Sequence, residues 1–174
     1  KLIPKSYISS TDRANMEGNK IEKENIELDE ANKYLAEGEY ERAIKLYEKY
    51  IEDSLKNKKI KEAAMAYHNM GIVYDNQKNY IEAIECFKKA LEYHKMIDNY
   101  RGMSWAYYSI GLIFGELKNF NEMIEYNKKA IDYGRKGKDA EILLKSYNGI
   151  GHALNELKEY SKSFEYLNKG LELR

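Results

Sequence analysis

Small and apolar residues recur along this chain at intervals of 40 residues, with polar stretches between them. One frame reads Gly71, Tyr74, Tyr80, Ala83, Phe87 and Ala90. The frame returns further along as Gly111, Phe114, Phe120, Met123, Asn127 and Ala130, and then as Gly151, Leu154, Tyr160, Ser163, Leu167 and Gly170. Towards the N-terminus it returns as Ala31, Tyr34, Tyr40, Ala43, Tyr47 and Tyr50. Four frames without slippage predict a repeat array.

Each copy predicts two antiparallel helices joined by a polar turn. In the second copy, one face of the first helix carries Tyr67, Met70, Gly71 and Tyr74, and one face of the second carries Tyr80, Ala83, Phe87 and Ala90. Spacings of three and four residues are those of a single helical face. Small residues let the two backbones approach closely. The predicted helices are 20–37 and 41–56, 60–77 and 80–96, 101–117 and 120–135, and 139–157 and 160–173.

This pattern resembles the tetratricopeptide repeat family, whose copies carry a bulky residue, Leu-Gly, Tyr, Ala, Phe, Ala and a closing Pro. The matching residues of the second copy are Tyr67, Met70, Gly71, Tyr74, Ala83, Phe87 and Ala90, with Tyr67 in place of the usual Trp. The resemblance extends over residues 24–174. Two features depart from it: the closing Pro is missing, and the period is 40 rather than the usual 34. The extra residues are expected to lengthen the helices or the link between hairpins.

The resemblance implies an all-α fold, a right-handed α-α superhelix of about four helix-turn-helix repeats. Residues 1–18 are polar and contain Pro4 and Gly18, so we expect a flexible N-terminal arm there. The array would occupy residues 19–174, with repeats at about 24–57, 64–97, 104–137 and 144–174. Because the last predicted hairpin has no polar capping helix after it, we expect further repeats in the parent protein.

Composition narrows the range of partners. The chain has 174 residues, with 29 Lys and Arg against 29 Asp and Glu. A net charge of zero provides no long-range field that would gather nucleic acid or an anionic membrane. No apolar run approaches the roughly 20 residues of a membrane span. We therefore expect neither a nucleic-acid nor a membrane partner, and the single Cys86 agrees with a reducing, cytoplasmic compartment.

Few side chains suggest chemistry. A zinc site needs three or four ligands within reach, but His68, His94 and His152 are the only histidines and are widely separated. Cys86 lies in mid-helix with no obvious base, which is typical of a small core or interface residue. His94 falls late on an outer helix, and we expect it to be exposed. No cofactor, metal or enzymatic activity is predicted.

In tetratricopeptide repeats, the first helix of each pair lines a concave groove, and the resemblance assigns groove positions here. They are Asn32, His68, Asn69, Ile72, Asn76, Trp105, Tyr108, Leu112, Lys145, Asn148, His152 and Asn155. Aromatic anchors beside amides suit capture of an extended peptide, since the rings supply buried area and the amides pair with its backbone. The alternative for Trp105 is packing against a neighbouring hairpin. Gly115 and Gly149, which lie outside the frame, are expected to open the groove or loosen their helices.

Two functional hypotheses follow from the resemblance. The first is a protein–protein interaction scaffold that binds a partner peptide or helix in the groove. The second is the peptide-sensing region of a bacterial signalling regulator, because 40-residue variants resemble repeats in such proteins. The end hairpins could also form a homodimer. A clamp for C-terminal carboxylates is not expected, because Leu28, Trp105 and Ser109 occupy its basic positions although Asn32 and Asn69 match.

Overall fold

A computed structural model describes residues 27–173 of the chain. Within that range the structure is helical and contains no strand, which confirms the all-α class. The helices are α1 (27–37), α2 (Tyr40–Lys56), α3 (Ile60–Asn76), α4 (Tyr80–Met96), α5 (Tyr100–Glu116), α6 (Phe120–Lys136), α7 (Ala140–Glu156) and α8 (Tyr160–Leu171). The predicted arm at residues 1–18 and the predicted start of the array at 19–26 lie outside the described residues.

The helices follow one another with a strict spacing. Each of α2 to α7 has 17 residues, and three residues separate it from the next helix, whereas two residues separate α1 from α2. The turn inside a hairpin therefore has the same length as the link between hairpins. The residues beyond the usual repeat length thus lengthen the helices, which decides between the two expectations from the sequence.

The turns also share one geometry, because their middle residue has a positive φ. The angle is 63° at Lys78 and 57° at Lys118, and 78° at Gly38. After α3, Lys78 N–H donates to Asp75 O at 2.8 Å and Asn79 N–H donates to Tyr74 O at 2.9 Å. These two bonds form a Schellman motif, which satisfies carbonyls at the end of the helix. Most of these left-handed positions are occupied by lysine rather than glycine, so the turns store backbone strain.

Small residues of the first helices receive large side chains of the second helices. A Cβ added at Gly71 would lie 2.7 Å from the Phe87 ring, and one added at Gly151 would lie 2.6 Å from Leu167. Such close approach leaves no room for a methyl group. The contact confirms the prediction that the frame glycines bring two antiparallel backbones together.

The two glycines outside the frame serve the same kind of packing. A Cβ at Gly115 would lie 2.8 Å from Met123 Sδ, and one at Gly149 would lie 2.9 Å from Asn127 Oδ1. Asn127 is fully buried where the second copy has Phe87. Both glycines therefore make room for side chains of α6, which differs from the expected opening of the groove.

Among the helices from α2 to α8, the first helices of successive hairpins touch one another. Contacts join α3 to α5 and α5 to α7, whereas α4 and α6 contact only their sequence neighbours. The first helices are thus the more closely spaced layer, as the inner wall of a curved stack requires. Each described helix is too short or too polar to cross a membrane.

The last helix has an uncovered apolar face. Phe164 and Leu171 are 66% and 57% exposed. One repeat earlier, the equivalent residues Ile124 and Ile131 are buried and pack in the core shared by α6 and α7. Homodimerisation through an end hairpin would use this face, and it stays a prediction.

Candidate functional site

A cavity of about 580 Å³ opens between α3 and α5 on the inner wall. It brings together four of the predicted groove residues: His68, Asn69, Ile72 and Trp105. The other lining residues are Lys61, Met65, His94, Asn99, Arg101 and Gly102. The cavity therefore combines an apolar floor with amide, imidazole and cationic groups.

Trp105 both lines the cavity and contacts the next hairpin. Its indole Nε1–H donates to Asp139 Oδ2 at 2.9 Å. Its ring meets Tyr108 edge-on at 6.1 Å between centroids, and Lys145 Nζ lies 5.7 Å from the ring centroid. The structure thus joins three predicted groove residues in one cluster, and the half-buried indole is held in place from two sides.

Asp139 organises this cluster, although the sequence analysis did not select it. Its Oδ2 also accepts a hydrogen bond from Arg101 Nε at 2.8 Å, and its Oδ1 accepts one from the Ile142 N–H at the start of α7. Burial raises the pKa of this carboxyl, but the bonds from Trp105, Ile142 and Arg101 outweigh burial and hold it below its ordinary value. Aspartate is a favoured N-cap residue, but the sequence does not show the contact of Asp139 with Trp105.

Asn32 and Asn69 form a second polar group on the wall. Asn69 Nδ2 donates to Asn32 Oδ1 at 3.0 Å, and the Tyr47 hydroxyl donates to the same oxygen at 2.6 Å. Burial raises the pKa of Tyr47 to about 12, so the hydroxyl stays protonated. The bonds from Tyr47 and Asn69 occupy the Asn32 oxygen, so the Asn32 amide hydrogens are the groups that a ligand could use.

The cavity contains two histidines that are neutral at physiological pH. Burial lowers the pKa of His68 to about 4, and the nearby His94 acts in the same direction. Burial also lowers the pKa of His94 to about 4, with a smaller contribution from the charge of Lys61. The expectation that His94 is exposed was wrong: it is 3% exposed. Its ring lies against Gly102, where an added Cβ would be 2.5 Å from Nδ1.

The remaining predicted groove residues do not line this cavity. Leu112 is 39% exposed. His152 lies 3.9 Å from the Glu156 carboxylate, measured from Nε2 to Oε1. The amides Asn76, Asn148 and Asn155 are exposed. These side chains extend along the first helices rather than converging on one point.

Reactive groups do not converge in the described part of the chain. Cys86 is buried, and burial raises the pKa of its thiol to about 11, so the nucleophilic thiolate is disfavoured. Among residues 27–173, no three of the His, Cys, Asp and Glu side chains are placed to hold a metal ion.

Comparisons with solved structures show the same fold. Aspartyl phosphate phosphatase F from Bacillus subtilis matches with a TM-score of 0.83 and 20% identity over 88% of this chain and 40% of its own. A Rap protein complexed with Competence and Sporulation Factor matches with 0.76 and 15% identity, over 88% and 43%. BtubC from P. vanneervenii matches with 0.75 and 15%, over 87% and 63%. The chain therefore spans less than two thirds of each of these proteins.

Sequence models of protein families identify the family of the chain more directly than the structural comparisons do. Models described as tetratricopeptide repeat match residues 31–59, 62–136 and 144–174. No curated protein matches the chain in sequence. The matched segments overlap every described hairpin and agree with the 40-residue frame. The chain belongs to the tetratricopeptide repeat family.

Proposed function

We propose that this chain is a non-enzymatic scaffold module that binds an extended peptide segment of a partner protein along its inner wall. The observation that carries the proposal is the open cavity between α3 and α5, with Trp105 fixed at one side by Asp139. A fixed aromatic ring loses little conformational entropy on binding. The cavity volume is within the range of ordinary ligand sites.

Apolar residues and amides on the inner wall would bind different parts of the peptide. Met65, Ile72 and Trp105 supply apolar area for a side chain of the peptide. Asn69 supplies an amide for the peptide backbone, and the exposed amides Asn148 and Asn155 continue this role towards α7. An extended backbone needs such partners, since each unpaired buried polar group costs about 1–3 kcal/mol. The unpaired, buried Cys86 is compatible with a cytoplasmic location for such a module.

A second candidate is the peptide-sensing region of a bacterial signalling regulator. It is favoured by the structural likeness to a Rap protein that was solved with Competence and Sporulation Factor bound. In this case the groove would take a short free peptide instead of a segment of a folded partner. A panel of free pentapeptides that raises the melting temperature would favour the sensor, and binding restricted to longer segments would favour the scaffold.

Peptide selection followed by matched variants tests the proposal. Peptides of twelve residues are selected from a displayed library, and their affinity is measured by isothermal titration calorimetry. Met65→Glu places a charge on the cavity wall, whereas Ile81→Glu places the same charge on an exposed apolar residue of the outer helix α4. We expect the first change to weaken binding by about tenfold or more and the second to leave it unchanged. If both variants bind the peptide with equal affinity, the peptide does not bind in the cavity between α3 and α5.

A further inference from the structure

The cavity between α3 and α5 has an unbalanced charge. Lys61 and Arg101 line it from exposed positions, and two imidazoles, His68 and His94, line its interior. No carboxylate is among its lining residues in the described part of the chain. The whole chain carries no net charge, with 29 basic and 29 acidic residues. A local excess of donors and cations in a neutral protein points to an anionic ligand group.

A hydrogen-bond chain fixes which nitrogen of His94 carries the proton. Asn99 Oδ1 accepts from the Gly102 N–H at 3.0 Å, because Asn99 is the N-cap of α5. Its Nδ2 therefore faces His94 Nδ1, at 3.1 Å, and donates to it. The neutral ring must then carry its proton on Nε2. No described residue accepts from this Nε2–H, and His94 lines the cavity, so the Nε2–H is a donor that a ligand in the cavity can use.

Arg101 keeps most of its donors. Its Nε donates to Asp139, and its terminal guanidinium nitrogens have no partner within the part of the chain that the structure describes. Asp139 is buried beside the cavity and balances one positive charge, whereas Lys61, the other cation that lines the cavity, forms no ion pair with any of residues 27–173. Arginine held by one partner and presented to another is pre-organised for a carboxylate.

We propose that this cavity is a subsite for a carboxylate of the bound peptide. The carboxylate would accept from His94 Nε2–H and from Arg101 and Lys61, while its aliphatic stem packs on Met65 and Trp105. The inference rests on the proposed peptide-binding function and adds a preference for acidic residues. It differs from the clamp considered for Leu28, Trp105 and Ser109, because those positions carry no basic side chain.

Small probes test the subsite without a peptide ligand. N-acetylglutamate N-methylamide supplies a side-chain carboxylate, N-acetylglutamine N-methylamide is its neutral match, and N-acetylalanine supplies a main-chain carboxylate. Each is titrated into ¹⁵N-labelled protein, and the ¹H–¹⁵N resonances of the His94 ring and the Trp105 indole are followed. We expect saturable shifts with the glutamate probe and none with the glutamine probe. Saturation by N-acetylalanine alone would also support the subsite, with the chain terminus as its source.

Charge variants give the control. Lys61→Gln and Arg101→Gln should each lower the affinity for the glutamate probe by about tenfold, as expected for the loss of one charge-assisted hydrogen bond. Lys88→Gln, on the exposed face of α4, should leave it unchanged. Equal shifts with the glutamine probe, unchanged affinity in the Lys61 and Arg101 variants, or shifts with inorganic phosphate but neither carboxylate would overturn the subsite.

The two proposals fail in different ways. If the selected peptides bind at the wall without enrichment of Asp or Glu, and the carboxylate probes produce no shifts, the subsite is wrong and the scaffold function stands. If the glutamate probe binds but no peptide does, the cavity is a carboxylate site, but both the peptide-binding function and the assignment of this site to a peptide are wrong.

Discussion

The buried ring of His94 should make the stability of the fold depend on pH. Its pKa in the folded protein is about 4, below the ordinary 6.5, because burial and the charge of Lys61 disfavour the imidazolium. Between these values the unfolded chain binds a proton that the folded chain does not, so the free energy of unfolding falls as the pH decreases from 6.5 towards 4. The difference between the two pKa values corresponds to a total loss of about 3 kcal/mol in the free energy of unfolding. About 2 kcal/mol of this loss occurs between pH 7 and pH 5.

The test compares wild-type protein with His94→Gln in urea, followed by far-ultraviolet circular dichroism at pH 7 and pH 5. Glutamine retains an oxygen that can accept from Asn99. The free energy of unfolding of the wild-type protein should fall by about 2 kcal/mol more than that of the variant between pH 7 and pH 5. His152→Gln is the matched control, because His152 is exposed. The free energy of unfolding of this variant should fall by as much as that of the wild-type protein. If His94→Gln and wild type lose equal stability, the reasoning about the buried ring fails.

Two further predictions concern packing and turns. Gly149→Ala should destabilise the fold by about 1–3 kcal/mol, because the new methyl group would meet Asn127 Oδ1 at 2.9 Å. In an Asn127→Ala background the same change should cost nothing or stabilise, and a double-mutant cycle in urea measures the coupling. Lys118→Gly should stabilise by about 0.5–1 kcal/mol by relieving a φ of 57°. Lys88→Gly, inside α4, should cost about 1 kcal/mol, and equal effects of the two lysine changes on the melting temperature would contradict the strain argument.

The helical fold was predictable because its determinants are local and repeated. The spacing of Gly71 and Phe87 sets one contact, and three further copies repeat it, so the pairing of helices could be predicted without coordinates. The predicted helix bounds differ from those observed in α2 to α7 by no more than one residue at every end. The turns were predicted by their polar residues, but their left-handed lysines were not, since lysine has no preference for that conformation.

The site was less predictable, because its geometry depends on contacts between repeats. His94 lies on an outer helix, where the pattern indicates exposure, but Gly102 has no side chain and lets the ring pack inward. Asp139 reaches back to Trp105 across 34 residues of sequence, and no local pattern shows that contact. Asn32 was predicted to be a groove residue, but its side-chain oxygen accepts a hydrogen bond from Tyr47 because the two helices meet there. Such pairings become visible only when the helices are placed in space.

The equal turns have a mechanical consequence. Turns inside hairpins and links between them have the same length and the same closing hydrogen bonds, as at Lys78 and Lys118. From α2 to α8 no turn is longer than another or lacks these bonds, so the backbone of the turns offers no preferred hinge. A preference for bending at one place in the array would therefore come from the packing between helices, which differs from one pair to the next, and not from the turns.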